Sequence, residues 1–491
     1  MTNSFREGRS WVVWLTIIAL ISVALGIFFY YTLFRQSEMD LVEAIPTDAV
    51  FVFEINKNDD FAADAAAFSV YLNEIFVMDA LPAFETMYSK LPSRNHCFTI
   101  SAHEQDDGLQ LLFNLRADKS EFKHLLRTFK IDPKNYTSFE TYKVYTYGTN
   151  FKSMKFVYNN NVLTVSSDLE LLKRSLLQQK HPKKILSDKG FRSVYELTEK
   201  NRKQNWLLIN QKSYTQFLKS FFNNEIGKKM GEMMGDSEWS AFQLRFSDKS
   251  IYLSGYTLLD NSMYESNKHG DGFSLASVIP FKTMYFTRYD IVDLKSLNLL
   301  SHSRLLEKDI SALNSISPRE MCNFAFKQDT NTVRLLAVLS DTNVSVLNFY
   351  SGTEVSDSLV KSVTDNIYPL PMNYSAALMP IFNDTLRWFY YADGAFVFAP
   401  SRDDIQTYRK TMSRGESIAA NPDYKLVAEA VASSSIKEYS LINDKNPQFI
   451  NEYLSDKGMK SKVVQNLRAV SYSVGKPADK KFVPLNVYIS F

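Results

Sequence analysis

Residues Trp11 to Phe34 form an uncharged, almost wholly apolar run, and every later apolar stretch is short, alternating or helically spaced. At roughly 1.5 Å per residue the run reaches about 36 Å as a helix, enough to cross a hydrocarbon core about 30 Å thick. Trp11 and Trp14 at one end and Tyr30 and Tyr31 at the other suit the two interfacial belts, and Arg6 and Arg9 precede the run. Glu38, Asp40 and Glu43 follow it, so the heavier positive flank predicts a cytoplasmic N-terminus with the rest outside. A cleaved signal peptide, processed near Ala24-Leu25-Gly26, is the competing reading; it leaves Ile27 to Phe34 as an exposed stub, and signal cores are shorter than this run. The expectation is a cytoplasmic stretch 1–10, a transmembrane signal-anchor 11–34 and a polar tether 35–44.

Past the tether, Ile45-Pro46-Thr47-Asp48 reads as a turn and Ala49 to Ile55 as an apolar strand. A similar start recurs at Ile279-Pro280, running into Thr283 to Phe286. Tyr158 to Val165 then lines up with Tyr391 to Phe398, each a hairpin with Asn or Asp-Gly at the turn, where left-handed backbone is required. Helix starts follow both, at Ser167-x-x-Glu170 and at Ser401, with Leu169, Leu172 and Leu176 or Ile405 and Tyr408 facing inward. Trp206 to Asn210 matches Tyr439 to Asn443, and Gln216-Phe217 matches Gln448-Phe449. Strand pairs close each stretch, 241–246 with 250–256 and 469–474 with 483–491. Matches in this order at nearly constant spacing predict two duplicated modules, 45–258 and 279–491, joined by a polar linker 259–278. Short turns between consecutive strands argue for antiparallel pairing. The expected fold class is therefore α+β: an N-terminal transmembrane helix, then two modules, each a mostly antiparallel sheet with packed helices, with a groove between them.

Composition and charge remove functions rather than add them. With 56 basic against 54 acidic residues and no single-sign run, nothing attracts nucleic acid. No G-x-x-x-x-G-K-[ST] or strand-following G-x-G-x-x-G occurs, so no nucleotide or other cofactor is expected; Gly231 and Gly235 read as a helix terminus. His96, Cys97 and His103, with Glu104, Asp106 and Asp107 beyond, form the one cluster of metal-ligand types, but adjacent strand residues point to opposite faces and the acids fit a hairpin turn. No metal site is assigned. Ser120-x-x-Lys123 reads as a helix start and Ser434-x-x-Lys437 as a loop, neither with the companion motifs of serine acyl transfer. Asp59-Asp60 and Asp403-Asp404 read as loop or cap positions, so no catalytic residue is assigned. Cys97 and Cys322 lie in strand-like stretches and read as two buried free thiols. The excess of 36 Phe and 27 Tyr fits strand packing, with an aromatic ligand groove as the alternative.

Ile45, Pro46, Asp48, Ala49 and the Val50 to Ile55 strand, behind an anchor and ahead of two Tyr/Phe-rich modules, resemble a family of membrane-anchored Bacteroidetes envelope proteins catalogued as a domain of unknown function. The Asn159-Asn160-Asn161 hairpin followed by Ser166-Ser167-Asp168 and Leu172 adds to the likeness. The resemblance implies an inner-membrane, single-pass location with a periplasmic bulk, and no activity. Asp357-Ser358-Leu359 and Asp384-Thr385-Leu386 resemble the short O-glycosylation sites of such proteins, at Ser358 and Thr385. The function read from all this is a non-catalytic binding or scaffolding protein of the envelope, its partner another protein, a glycan or a lipid. A lipid carrier and an extracytoplasmic hydrolase are the alternatives.

Overall fold

The structure, a computed structural model, describes residues 40–56, 80–91, 97–105, 108–148, 153–181, 183–199, 204–214, 238–247, 250–258, 273–291, 294, 306–328, 331–340, 344–350, 366–382, 384–392, 394–430, 435–442, 455–456, 466–475 and 482–491. In chain order these hold β1 (Ala49–Ile55), α1 (Ala80–Tyr88), β2 (Phe98–Gln105), β3 (Gly108–Arg116), α2 (Lys119–Thr128), β4 (Thr137–Phe139), β5 (Tyr142–Tyr147), β6 (Met154–Asn159) and β7 (Val162–Ser166). Next come α3 (Leu169–Lys180), α4 (Lys189–Glu199), β8 (Trp206–Asn210), β9 (Trp239–Ser247), β10 (Ser250–Leu258), β11 (Thr283–Asp290), α5 (Glu307–Asn314), β12 (Pro318–Gln328) and β13 (Asn331–Ser340). The remainder are β14 (Ile367–Pro369), α6 (Met372–Phe382), β15 (Trp388–Ala392), β16 (Ala395–Ala399), α7 (Arg402–Met412), α8 (Pro422–Ala430), β17 (Ser435–Ile442), β18 (Ala469–Gly475) and β19 (Phe482–Ser490).

All 19 strands form one antiparallel sheet, in the spatial order β4-β5-β6-β7-β3-β2-β1-β8-β9-β10-β19-β18-β17-β11-β12-β13-β16-β15-β14. This corrects the expected fold class. Among the described residues the two expected modules do not have separate sheets, because β10 and β19, the last strand of each, pair along their length from Ser250↔Ser490 to Leu258↔Phe482. Their half-buried alternation suits an edge strand, and pairing edge to edge satisfies backbone groups that either would otherwise leave open. What repeats across this seam is strand order inside a single sheet. The bulge between Ala49 and Phe51, where β1 meets β2, is matched by one between Thr283 and Tyr285, where β11 meets β12.

Helices cover both faces. On one face Phe98, Phe113 and Phe156 pack beneath α1 and α2, with Phe84 of α1 stacked 4.1 Å from Phe113, and the same cluster runs on through Tyr285, Tyr439 and Leu485. Farther along, Tyr289, Met321, Phe396 and Phe398 pack with residues of α5 and α6. On the opposite face α3 and α4 cover the first half, and Ile405, Tyr408 and Tyr424 of α7 and α8 cover Phe286, Phe324 and Phe326. Burying each such phenylalanine stabilises the fold by roughly 1.5–3 kcal/mol. The hairpin turns take the backbone their residues predict: Asn160 and Asn161 have φ of 48° and 60°, and Gly394 has φ of 82°.

Several other expectations change. A membrane span needs about 18–20 apolar residues in one helix, whereas the longest described helix, α3, has 12 residues, and no helix of the described residues is long and apolar enough to cross a membrane. The transmembrane signal-anchor and the single-pass inner-membrane location are therefore withdrawn; the run 11–34, with Arg6, Arg9, Trp11, Trp14, Tyr30 and Tyr31, lies outside the described residues. Residues 40–44, read as tether, are packed: Tyr195 donates to Asp40 at 3.1 Å, Ser175 donates to the Ala44 carbonyl at 2.6 Å, and Lys184 pairs with Glu43. Cys97 is exposed, not buried; Cys322 is buried, and both are free. The caps sit beside the predicted serines, at Asp118 for α2 and Asp168 for α3, while Ser401 does cap α7.

Candidate functional site

Helix α2 starts from a capping box in which Asp118 accepts from the Glu121 N–H at 2.8 Å and Glu121 accepts from the Asp118 N–H at 2.9 Å. That start sets the helix phase. Phe122, Leu125 and Leu126 turn toward the sheet, and Lys119, Lys123 and Arg127 fall four residues apart along one exposed edge, about 6 Å between neighbours. Lys119 occupies the first helical position, where a cation opposes the helix dipole, so its placement there does nothing for the helix.

Between this edge and the β4–β6 end of the sheet lies a cleft of about 660 Å³, within the range of small-molecule sites. Its rim is Lys119, Lys123 and Arg127 on α2 and Lys143 on β5, all exposed. Its floor is Phe122, Leu126, Tyr145 and Tyr158, buried or half-buried, with Ile131 and Pro133 at one end; Tyr142 borders it, but its ring packs beneath α3 on the opposite face. Phe122 stacks on Tyr158 at 4.8 Å and 11°, and meets Tyr145 edge-on at 5.6 Å. Four cations line the cleft and no carboxylate does. Lys143 lies 4.7 Å from the Tyr136 ring centre. Burial, with Asp118 and Glu121 nearby, pushes the Tyr158 phenol up, and burial likewise raises Tyr145 and Tyr142, so all three hydroxyls stay neutral through the physiological range. Two of them are already committed: Tyr145 donates to the Pro133 carbonyl and Tyr158 to Asn161 Oδ1.

A second polar constellation lies in the first half of the sheet. His103 Nδ1 lies 3.0 Å from Asp48 Oδ1, His103 Nε2 lies 2.9 Å from Ser101 Oγ, and Arg174 pairs with the other oxygen of Asp48. Burial holds His103 below its ordinary value despite Asp48, so the ring is neutral at pH 7. Burial alone would raise the Asp48 carboxyl, but the His103 hydrogen bond and the His103 and Arg174 charges bring it down to about 2. The connectivity is that of a serine-hydrolase triad. Its accessibility is not, since Ser101 and His103 are both 0% exposed. The sheet does not require these residues: counting from the matched bulges, Ser101 and His103 flank Ala102 as Phe324 and Phe326 flank Ala325.

The third constellation is buried among β11, β12 and β17. Arg288 Nε lies 3.0 Å from Glu320 Oε1 and Nη1 lies 4.0 Å from Glu438 Oε2, with the guanidinium 5.2 Å from the Phe273 ring centre. Glu320 also accepts from the Ser274 N–H at 3.1 Å, which ties the segment entering β11 to the sheet. Burial outweighs Arg288 and raises the Glu320 carboxyl to about 7, and burial raises Glu438 as well. This cluster fastens the fold and opens to no cleft residue.

Among the described residues no group of three or more His, Cys, Asp or Glu is placed to hold a metal ion. Of the sequence candidates, Thr385 is exposed between α6 and β15, far along the sheet order from the cleft, and Ser358, His96, Asp106 and Ser434 lie outside the described residues. Of the cleft residues, the sequence reading named Lys123 in Ser120-x-x-Lys123 and Tyr158 and Asn159 in a hairpin, and assigned none of them to a binding site. Their available signal was the four-residue spacing of Lys119, Lys123 and Arg127 on a predicted helix ahead of a tyrosine-rich hairpin.

No family model matches the chain, and no curated protein matches it in sequence. Two solved structures, titled as crystal forms I and III of TP0453, are similar over 77% and 74% of this chain and 99% and 94% of theirs, each with 6% identity and a TM-score of 0.21. A likeness at that score carries no argument.

Proposed function

We propose that the protein is a non-catalytic binding protein and that the cleft between α2 and β4–β6 is its ligand site. The supporting observation is the set of four exposed cations, with no carboxylate among them, around an aromatic floor. A surface evolved only for solubility mixes charge signs and covers aromatic rings. Here one sign is gathered beside rings at a concavity of ligand size. The ligand on this reading is an anion bound without covalent chemistry, because no Ser, Cys or His and no carboxylate base that could activate a nucleophile lines the cleft. Native mass spectrometry of the full chain, purified gently from expressing cells, tests this. The wild type is expected to carry a small-molecule adduct that is absent from a Lys123→Glu/Arg127→Glu variant of equal stability. Identical spectra, with no anion in a screening panel stabilising the wild type alone, would remove the reading.

The hydrolase alternative draws on one observation, the Asp48–His103–Ser101 hydrogen-bond chain. Full burial of Ser101 stands against it. A fluorophosphonate probe decides between them: labelling of Ser101 that is lost on His103→Ala favours catalysis, and an unlabelled serine in folded protein favours the binding reading.

A further inference from the structure

The chemistry of the cleft narrows its ligand, given the reading of the cleft as a binding site. Carbohydrates present many hydroxyl donors, and a site for them needs side-chain acceptors in number, since a donor buried without an acceptor gives up its bond to water for nothing in return. This cleft is poor in acceptors. It has no carboxylate, its neutral polar side chains are Thr141 and Asn159, and Tyr145 and Tyr158 add only single phenol oxygens, their protons already donated to protein oxygens. Asn159 turns its side-chain amide to α3, donating to Gln179 at 2.9 Å. What the walls do offer is separated in space: an apolar floor of Phe122, Leu126, Ile131 and Tyr145, and a rim of ammonium and guanidinium donors.

We infer that the occupant is an amphipathic anion, a lipid whose phosphate head sits among Lys119, Lys123, Arg127 and Lys143 while its apolar body lies along the Phe122–Leu126–Ile131 floor. A phosphate fits the rim better than a carboxylate does. It carries up to two charges and three strong acceptor oxygens, enough to engage several donors at once, and arginine matches it bidentately. Removing the apolar body from water supplies the larger share of affinity, and the rim selects the head.

The test is isothermal titration of the full chain in detergent-free buffer, with five probes below their micellar concentrations. Dodecyl phosphate should bind one to one, and at least about tenfold more tightly than inorganic phosphate, dodecyl maltoside or tetragalacturonate. It should also bind more tightly than laurate, which shares the tail but carries a carboxylate. Lys123→Glu/Arg127→Glu, both at exposed positions, should weaken dodecyl phosphate about tenfold and leave dodecyl maltoside unchanged. Inorganic phosphate binding as well as dodecyl phosphate, or tetragalacturonate binding best, overturns the lipid assignment while leaving the cleft as a binding site. Laurate binding best overturns the phosphate head. If the charge reversal changes no probe, the cleft itself fails as the site.

Discussion

Gly255 in β10 sits where the strands approach most closely, and replacing it with alanine should destabilise the whole sheet. A Cβ at this position would lie 1.9 Å from the Ala241 carbonyl oxygen and 2.7 Å from the Phe242 Cα, both backbone atoms of β9. Ordinary contact starts near 3.4 Å, so β9 and β10 must part locally by roughly 1.5 Å, far enough to break two ladder hydrogen bonds at about 0.5–1.5 kcal/mol each. Overpacking strain adds about 1–3 kcal/mol, giving roughly 3 kcal/mol in all. With a slope near 3 kcal/mol per M, the urea midpoint should fall by about 1 M. Gly394→Ala is the control, because that glycine has φ of 82° with nothing within 4 Å of its Cβ; its cost should stay near 1–2 kcal/mol, from backbone conformation alone. Circular dichroism at 218 nm and tryptophan fluorescence (Trp239 is buried in β9) should report the Gly255→Ala transition together. A Gly255→Ala midpoint within about 0.2 M of wild type would falsify the close approach and the inference drawn from it.

Asp118→Ala removes the side-chain half of the α2 capping box, the carboxylate that accepts from the Glu121 N–H, so urea melts should show a loss of about 1 kcal/mol and titration should show weaker binding in the cleft, since that helix carries three of the four rim cations. For Glu320, the folded carboxyl titrates near 7, above its ordinary 4.5, so the native state retains a proton that the unfolded chain releases. That contribution is fully present below pH 4.5 and is lost as pH rises through 7. Glu320→Gln should therefore gain on wild type by about 1–3 kcal/mol between pH 4.5 and 8, with Arg288 keeping Glu438 as its partner. A difference between the two proteins that stays flat over that interval would show that burial does not govern Glu320.

Local structure was legible where one residue type has one physical use. Asn160 and Asn161 marked a turn needing left-handed backbone, and the alternation around them marked the strands of the hairpin. Cap positions were misplaced by one or two residues because Ser and Asp compete for the same role, and Asp118 and Asp168 won it beside Ser120 and Ser167. The β10–β19 seam was not legible. Each strand reads locally as an amphipathic edge, and nothing in either segment says which other edge covers it. The cleft was hidden for a related reason: Lys119, Lys123 and Arg127 read as an ordinary solvated helix face until the fold places Tyr145 and Tyr158 opposite them. Ser101 was not singled out, and His103 was weighed only with His96 and Cys97 as a metal ligand, because their partner Asp48 is distant in sequence and meets them only when β1 pairs with β2.

The pairing of β10 with β19 also bears on how the molecule can move. Two-lobed binding proteins commonly capture ligands by swinging about a hinge, and a hinge needs a crossing with few bonds. Here the crossing is a ladder running from Ser250 to Leu258, and bending it means unzipping backbone pairs in the middle of the sheet. The two halves are thus coupled as a stiff beam. Capture at the cleft is left to side-chain rotation of Lys123, Arg127 and Lys143 and to the exposed turn at 132–136, motions of nanoseconds to microseconds that need no rearrangement elsewhere.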